Sequence, residues 1–115
     1  MGKRILQQRR GRGSPAFRAP SHNFKVQLTY RNYDDVESKG VLKGEVARFV
    51  DDPAHFAVLM KVIFENNEDE IFLAAEGIKI GDSIFTGALS PVRLGSILPL
   101  MKIPEGCYID NVEQL

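Results

Sequence analysis

Basic side chains crowd the first 25 residues and give this segment the chemistry of a phosphate-binding arm. Arginine presents a planar fork of donors that pairs with phosphate oxygens and stacks on base faces. Four arginines fall between Arg4 and Arg12, and the intervening glutamines and glycines let the main chain run close to a phosphate backbone. The pattern predicts that this segment binds a nucleic acid.

Other side chains in the same segment suit RNA in particular. Gln7 and Gln8 can donate and accept hydrogen bonds at base edges or at ribose 2′-hydroxyls. Phe17, Phe24 and His22 offer flat surfaces on which unpaired bases stack. We therefore predict the following RNA-binding residues: Lys3, Arg4, Gln7, Gln8, Arg9, Arg10, Arg12, Phe17, Arg18, His22 and Lys25.

The charge of the chain is divided unevenly between two regions. The formal net charge is zero, yet residues 1–25 hold seven basic residues and no acidic one. Residues 26–115 therefore hold the remaining eight basic and all fifteen acidic residues, a net charge of −7. A +7 arm attached to a −7 body indicates a polyanionic partner for the arm.

Composition alone leaves other interpretations of the arm open. A basic segment can also be a nuclear-localisation patch or a solvated tail. An organellar transit peptide is disfavoured, because Gly11, Gly13, Pro15 and Pro20 interrupt the amphipathic helix that such peptides form. We expect the arm to be extended and disordered until it meets its partner.

The remaining titratable residues do not form a recognisable reaction centre. His22 and His55 are far apart and have no cysteine or carboxylate at zinc-ligand spacing. The acidic pairs Asp34–Asp35 and Asp51–Asp52 and the run Glu68–Asp69–Glu70 fall in predicted turns, where solvated loops are the expected role. We predict no metal, no cofactor and no enzymatic activity.

The elements that carry the arm are short strands. Residues 1–39 are predicted to be the arm and a polar connection, with at most a short helix in Met1–Arg10 and a weak strand at Val26–Tyr30. Residues 40–115 are predicted to form the folded domain. Its strands are expected at Val41–Asp51, Phe56–Glu65, Glu70–Ala74, Ser83–Thr86 and Cys107–Val112, with turns at Asp52–His55 and Asn66–Glu68.

Five short strands without a long helix predict an all-β protein. In about 75 residues they suit a small five-stranded OB-fold-like barrel, a fold that often binds nucleic acid and that closes its strand edges. Cys107 alternates within the last predicted strand and is expected to be a small core residue. As the single cysteine it rules out an internal disulfide and fits a reducing, cytoplasmic compartment.

No membrane or secretory segment is expected. Apolar runs reach five residues, as in Phe56–Met60, far short of the ~18 that span a bilayer. Ile5–Leu6 is too short for the apolar region of a signal peptide.

Several runs resemble a known family, the archaeal form of large-subunit ribosomal protein two. The arm carries Met1–Arg4, Gln8–Gly13 and Pro15–His22, all close to the start of that family. Further matches, in the right order, are Glu76–Ile78, Gly81–Asp82, Leu98–Leu100, Ile103–Gly106 and Asn111–Glu113. The resemblance spans nearly the whole chain and is weaker between Val26 and Asn67.

The resemblance implies a structural role in the large ribosomal subunit. It implies an arm that threads between RNA helices, an OB-like RNA-binding domain, and binding to domain IV of the large-subunit ribosomal RNA (rRNA) in support of subunit association and assembly. The partners would be rRNA and neighbouring ribosomal proteins in the cytoplasm, without self-association. The resemblance also implies a second, SH3-like barrel after this domain, and that barrel carries a histidine linked to the peptidyl-transferase region. The sequence ends at Leu115, about where the second barrel would begin. The role of that histidine is therefore not carried over to His22 or His55.

Two alternatives remain at this point. The chain could be a free OB-fold module that binds single-stranded nucleic acid on its barrel face, with the arm only an accessory. The −7 charge of the body predicts that the barrel does not coat RNA, or does so on one restricted face such as Arg48, Lys61 and Arg93. The chain could also be an interaction protein whose acidic barrel contacts another protein.

Asn23 stands where the family often has a basic residue, which weakens the match at that end of the arm slightly.

Overall fold

A long strand with alternating side chains organises the sheet. The computed structural model describes residues 2–114, so Met1 of the predicted arm and Leu115 of the predicted barrel domain lie outside the described residues. In strand β1 (Leu42–Asp52) the alternate residues Leu42, Gly44 and Val46 are buried, and the residues between them are exposed. This period of two is the pattern of a strand with one face on a core.

Three further strands complete a curled antiparallel sheet. Strands β2 (His55–Phe64) and β4 (Ser83–Thr86) pair with the two sides of β1, and β3 (Asp69–Leu73) pairs with β2. The strand order is β3-β2-β1-β4. The all-β, OB-fold-like prediction is confirmed, in the form of a four-stranded half-barrel.

An irregularity in β1 curls the sheet. The pairing register shifts between Val46 and Arg48, which leaves Ala47 without a partner on β2. A bulge of this kind bends the strand and increases its twist. As a result, β1 pairs with β4 through Leu42–Glu45 and continues along β2 as far as Asp52.

The core lies inside this curl. The buried side chains of Phe64 and Phe72 meet edge to face, with ring centroids 6.1 Å apart. The full cluster consists of Leu42, Val46, Met60, Val62, Phe64, Phe72, Ile78 and Ile84. Ile78 comes from the loop between β3 and β4, which the Gly81 N–H fastens to the Val46 carbonyl at 2.8 Å.

The two predicted turns are confirmed. Asn67 has a positive φ of 64° in the β2–β3 turn, a backbone conformation that asparagine tolerates. In the β1–β2 turn, the Asp52 carboxylate accepts a hydrogen bond from the backbone N–H of Ala54 at 3.2 Å.

Three predictions for shorter segments were wrong. Cys107–Val112 and Val26–Tyr30 have no strand structure, and Cys107 is exposed. A strand needs a neighbouring strand to satisfy its backbone groups. Here the two segments meet through a side chain instead, since the Tyr30 hydroxyl donates to the Asn111 carbonyl at 2.6 Å.

A short helix lies within residues 31–39, which the sequence predicted to be a polar connection. Helix α2 (Asp35–Lys39) is capped at its N-terminus by Asp34, whose side chain accepts hydrogen bonds from the N–H groups of Val36 and Glu37, both at 3.1 Å. An aspartate in this capping position satisfies backbone donors that a helix otherwise leaves free. The connection therefore enters β1 from a defined direction.

The arm extends away from the sheet. It contains one turn of helix, α1 (Leu6–Arg9), and 3₁₀ turns at Pro15–Phe17 and Ser21–Asn23. The molecule measures 67 × 30 × 27 Å, and its radius of gyration is 18.7 Å. A compact chain of this length would have a radius of about 13 Å. The molecule is therefore more extended than a compact domain.

The predicted boundary between residues 1–39 and 40–115 stays a prediction. Part of the connection packs on the sheet, because Tyr30 lies against the core and stands 6.0 Å from the Phe72 ring. Across residues 2–114, no helix has the length and apolar character needed to cross a membrane.

Candidate nucleic-acid interface

All eleven predicted RNA-binding residues are exposed to solvent along the arm. No residue among 2–25 is buried, and only Ser14 is half-buried. Outside α1, the backbone hydrogen bonds of residues 2–24 join residues two or three positions apart, such as Phe17 to Ser14. The cationic groups of the arm therefore face solvent and are free to meet an anionic partner.

The structure brings two of the predicted residues together. The Arg10 guanidinium lies 5.9 Å from the centre of the Phe17 ring, a cation–π contact. The bend between them contains Gly11 and Gly13, with positive φ of 75° and 74°. The other candidates are distributed along the arm, an arrangement suited to following a phosphate backbone.

The root of the arm is tied to the tip of the β1–β2 hairpin. Asp52, at the end of β1, is 1% exposed and accepts a hydrogen bond from the backbone N–H of Lys25 at 3.3 Å. The same carboxylate contacts His55 Nδ1 at 2.7 Å and the Ala54 N–H at 3.2 Å. The last residue of the arm thus has a fixed point on the sheet.

The protonation of Asp52 follows from these contacts. Burial raises the pKa of Asp52, but the hydrogen bonds from His55, Ala54 and Lys25 favour the charged form and leave the pKa below its ordinary value. Asp52 is therefore ionised at neutral pH. The sequence predicted Asp52 to lie in a solvated turn, and the predicted turn at Asp52–His55 was the only signal of this arrangement.

A second ionic cluster anchors the connection behind the arm. The Arg31 guanidinium is 10% exposed and contacts Asp34 at 2.6 Å, Glu37 at 3.2 Å and Glu68 more closely. It joins helix α2 to the β2–β3 turn. The sequence predicted Asp34 and Glu68 to be solvated, since nothing local shows that an arginine lies between them.

The pKa values in this cluster move in opposite directions. The hydrogen bond from Arg31 lowers the pKa of Asp34 to about 2, and the same partner lowers that of Glu68. Burial raises the pKa of Glu37, against the opposing effect of Arg31. The cluster is structural, because its single cation is already surrounded by three carboxylates.

The barrel offers a weaker surface for an anion. Arg48 and Lys61 are cross-strand partners on β1 and β2, but Lys61 also pairs with Asp69 on β3. Arg93 lies 6.0 Å above the Phe85 ring. Exposed aromatics stand near the hairpin tip, where Phe49 is 40% exposed and Phe56 fully exposed. Within residues 2–114, no three histidine, cysteine or carboxylate side chains gather as a metal site would require.

Comparison with known proteins identifies the relatives of this chain. A family model described as "Ribosomal Proteins L2, RNA binding N-terminal domain" matches residues 3–86, a range that covers nearly all of the arm and all four strands. The chain is 49% identical over 113 residues to "Large ribosomal subunit protein uL2" of Methanobrevibacter smithii, with 98% of this chain and 47% of the relative covered.

Other archaeal relatives give the same result. The protein of the same name from Methanothermobacter thermautotrophicus is 45% identical over 113 residues, 98% of this chain and 47% of the relative. That from Methanococcus maripaludis is 42% identical over 115 residues, 100% of this chain and 48% of the relative. The chain thus spans about half the length of these relatives. It belongs to the ribosomal protein L2 family, in the region of the family's RNA-binding N-terminal domain.

Proposed function

We propose that this chain is a structural, non-enzymatic constituent of the large ribosomal subunit that binds rRNA through its basic arm and supports assembly of the subunit. The observation that carries the proposal is the exposed, acid-free arm: its seven basic residues, of which Lys3, Arg10 and Lys25 are examples, extend from a barrel of opposite charge. The relatives are ribosomal proteins by name, which supports this role and a place in the cytoplasmic ribosome.

The binding energy would come mainly from phosphate neutralisation. Each phosphate contact releases a condensed counterion, so the affinity falls with salt concentration in proportion to the number of contacts. The aromatic rings of Phe17 and His22 would add stacking on unpaired bases. Because the arm has almost no internal packing, it can adopt the shape of an RNA groove as it binds.

The barrel would hold the arm and contact neighbouring ribosomal proteins rather than coat RNA. Residues 26–115 carry a net charge of −7, which opposes a broad phosphate-binding surface. We propose that the chain acts as one copy in the subunit, that residues 1–39 and 40–115 are its two functional parts, and that the eleven predicted RNA-binding residues of the arm form the RNA contact.

A salt titration with two matched variants tests the proposal. The probe is a large-subunit rRNA transcript containing domain IV, the region that the family resemblance indicates. One full-length variant replaces six arm residues with glutamine: Lys3, Arg4, Arg9, Arg10, Arg12 and Arg18. The control replaces six basic residues of the body with glutamine: Lys39, Lys43, Arg48, Lys79, Arg93 and Lys102.

The two variants remove the same charge from different regions. We expect the arm variant to lose most of the affinity and about four to five units of the slope of log affinity against log salt. The body variant should keep both. The proposal is overturned if the arm variant binds as tightly as the unaltered chain.

The same experiment addresses the alternative of a barrel face that binds single-stranded nucleic acid. The exposed Phe49 and Phe56 near the tip of the β1–β2 hairpin favour that alternative, because bases stack on exposed aromatic rings. It predicts that the body variant loses affinity and that Phe56→Ala weakens binding to an unstructured oligonucleotide. A loss of RNA affinity in the body variant alone would show that the barrel, and not the arm, binds the nucleic acid.

A further inference from the structure

We propose that Asp52 is a positioning residue for RNA binding: it fixes the direction in which the arm leaves the barrel and thereby raises the affinity for rRNA without touching RNA. This inference rests on the proposed role of the arm. Asp52 is 1% exposed, so its carboxylate is out of reach of a phosphate or a base.

The contact joins the junction between the two regions. Lys25 is the last basic residue of the arm, and its backbone N–H donates to Asp52 Oδ1 across 27 positions of sequence. Asp52 closes β1, which is paired along most of its length with β2. A bond between these two residues therefore transfers the rigidity of the sheet to the start of the arm.

The carboxylate is itself held in place from the other side. His55 Nδ1 lies 2.7 Å from Oδ2, while Oδ1 accepts from Ala54 as well as from Lys25. A buried carboxylate is stable only when such donors surround it. Ala54 and His55, at the hairpin tip, supply two of the three donors to this carboxylate. The third donor is the Lys25 N–H, which comes from the arm.

The neighbouring backbone follows the same course. Residues 24–28 line one side of a groove whose other side is Ala54 and His55. Val26 and Leu28 are half-buried, whereas residues 15–25 are exposed. Burial of the chain against the sheet thus begins next to the point where Lys25 meets Asp52. A fixed starting direction reduces the conformational entropy that the arm loses when it binds.

The test is Asp52→Asn in the full chain, with Asp51→Asn as the matched control. Both substitutions remove one negative charge, but Asp51 is exposed and makes no described contact with the arm. An amide cannot accept from all three donors as the carboxylate does. Amide hydrogen exchange at Lys25 reports the bond directly, and the rRNA transcript titration reports its consequence.

We expect Asp52→Asn to accelerate exchange of the Lys25 amide and to weaken rRNA binding roughly five- to tenfold, the effect of re-ordering about one backbone residue. The salt slope should stay unchanged, since no phosphate contact is lost. Asp51→Asn should change neither quantity. Faster exchange at Lys25 with unaltered affinity would overturn the inference.

The variant with the neutralised arm separates this inference from the proposed function. In that background Asp52→Asn should have no further effect on rRNA affinity, and an equal loss there would also overturn the positioning role. If the neutralised arm itself leaves affinity unchanged, the proposed function fails instead. If Asp52→Asn does not fold, His55→Phe is the second variant, because it removes one hydrogen-bond donor to Asp52 at a half-buried position. The same changes in Lys25 amide exchange and in rRNA affinity then support or overturn the inference.

Discussion

The arm and the sheet differ in the burial and in the charge of their side chains. Residues 2–25 contain no buried side chain and no acidic group. The sheet places Val46, Val62 and Ile84 at 0% exposure, and the body around it holds all fifteen acidic residues, of which Glu37 and Asp52 are buried. The zero net charge of the chain is therefore the sum of a +7 arm and a −7 body.

The two regions should also differ in what a substitution changes. In the sheet, side chains are held by packing, so substitutions should change the free energy of unfolding. In the arm, no side chain is buried, so substitutions should leave the free energy of unfolding unchanged. They should instead change RNA affinity and its salt dependence. Four measurements test that division, in order of decreasing effect.

Phe72→Ala should have the largest effect, because it removes a buried ring that contacts Phe64 and Tyr30. We expect a loss of about 3–5 kcal/mol in the free energy of unfolding, measured by chemical denaturation. Phe56→Ala is the control, since Phe56 has the same side chain in full exposure on β2. Equal losses for the two would show that burial in this sheet does not determine stability.

Gly44→Ala should destabilise the sheet by a smaller amount. A Cβ at this position would lie 2.6 Å from Val62 Cγ1 and 2.7 Å from the Phe64 ring, both in the packed core. Overpacking of this kind costs about 1–3 kcal/mol. Gly2→Ala meets no neighbouring atom and should leave the denaturation midpoint unchanged. A neutral Gly44→Ala would mean that the β2 side chains move aside freely.

Arg10→Gln should leave the thermal midpoint unchanged and weaken rRNA binding by up to about tenfold, with a loss of about one unit of salt slope. The reason is that Arg10 is exposed and lies over the Phe17 ring, and within residues 2–114 its side chain makes no hydrogen bond or salt bridge. Lys79→Gln, an exposed charge of the barrel, is the control. A drop in the thermal midpoint with Arg10→Gln would show that the arm contributes to the folded core.

Acid should weaken the Arg31 cluster. The folded-state pKa of Asp34 is lowered to about 2 and that of Glu68 is also lowered, so both stabilise the fold at neutral pH. That contribution is lost as the pH falls from about 4 towards 2. The raised pKa of Glu37 acts in the opposite sense, because its protonation in mild acid relieves a buried charge.

Thermal midpoints between pH 6 and pH 2 would measure this balance. We expect a decline concentrated below pH 4, and a smaller decline in Arg31→Met, which has already lost the ion pairs at neutral pH. Lys39→Met is the control, as its partner Asp35 lies 3.8 Å away and both side chains are exposed. Identical pH profiles for Arg31→Met and the unaltered chain would exclude the cluster as the origin of acid sensitivity.

Local patterns in the sequence were sufficient for much of the fold. The alternation in Val41–Asp51, the apolar run from Phe56 and the asparagine turn at Asn66–Glu68 predicted β1, β2 and the turn that follows, each within one or two residues of the observed bounds. The basic and aromatic residues of the arm likewise predicted its exposure. These features depend on neighbours in sequence, and the side-chain period reports them directly.

Contacts between distant residues were decided by the tertiary structure alone. The sequence cannot show that Lys25 meets Asp52, that Arg31 lies between Glu37 and Glu68, or that Cys107 is exposed, because each depends on elements brought together by the curl of the sheet. The bulge at Ala47, which produces that curl, leaves no period of its own in the sequence. The chemistry of the arm is thus local, while the point from which it starts is set by long-range packing.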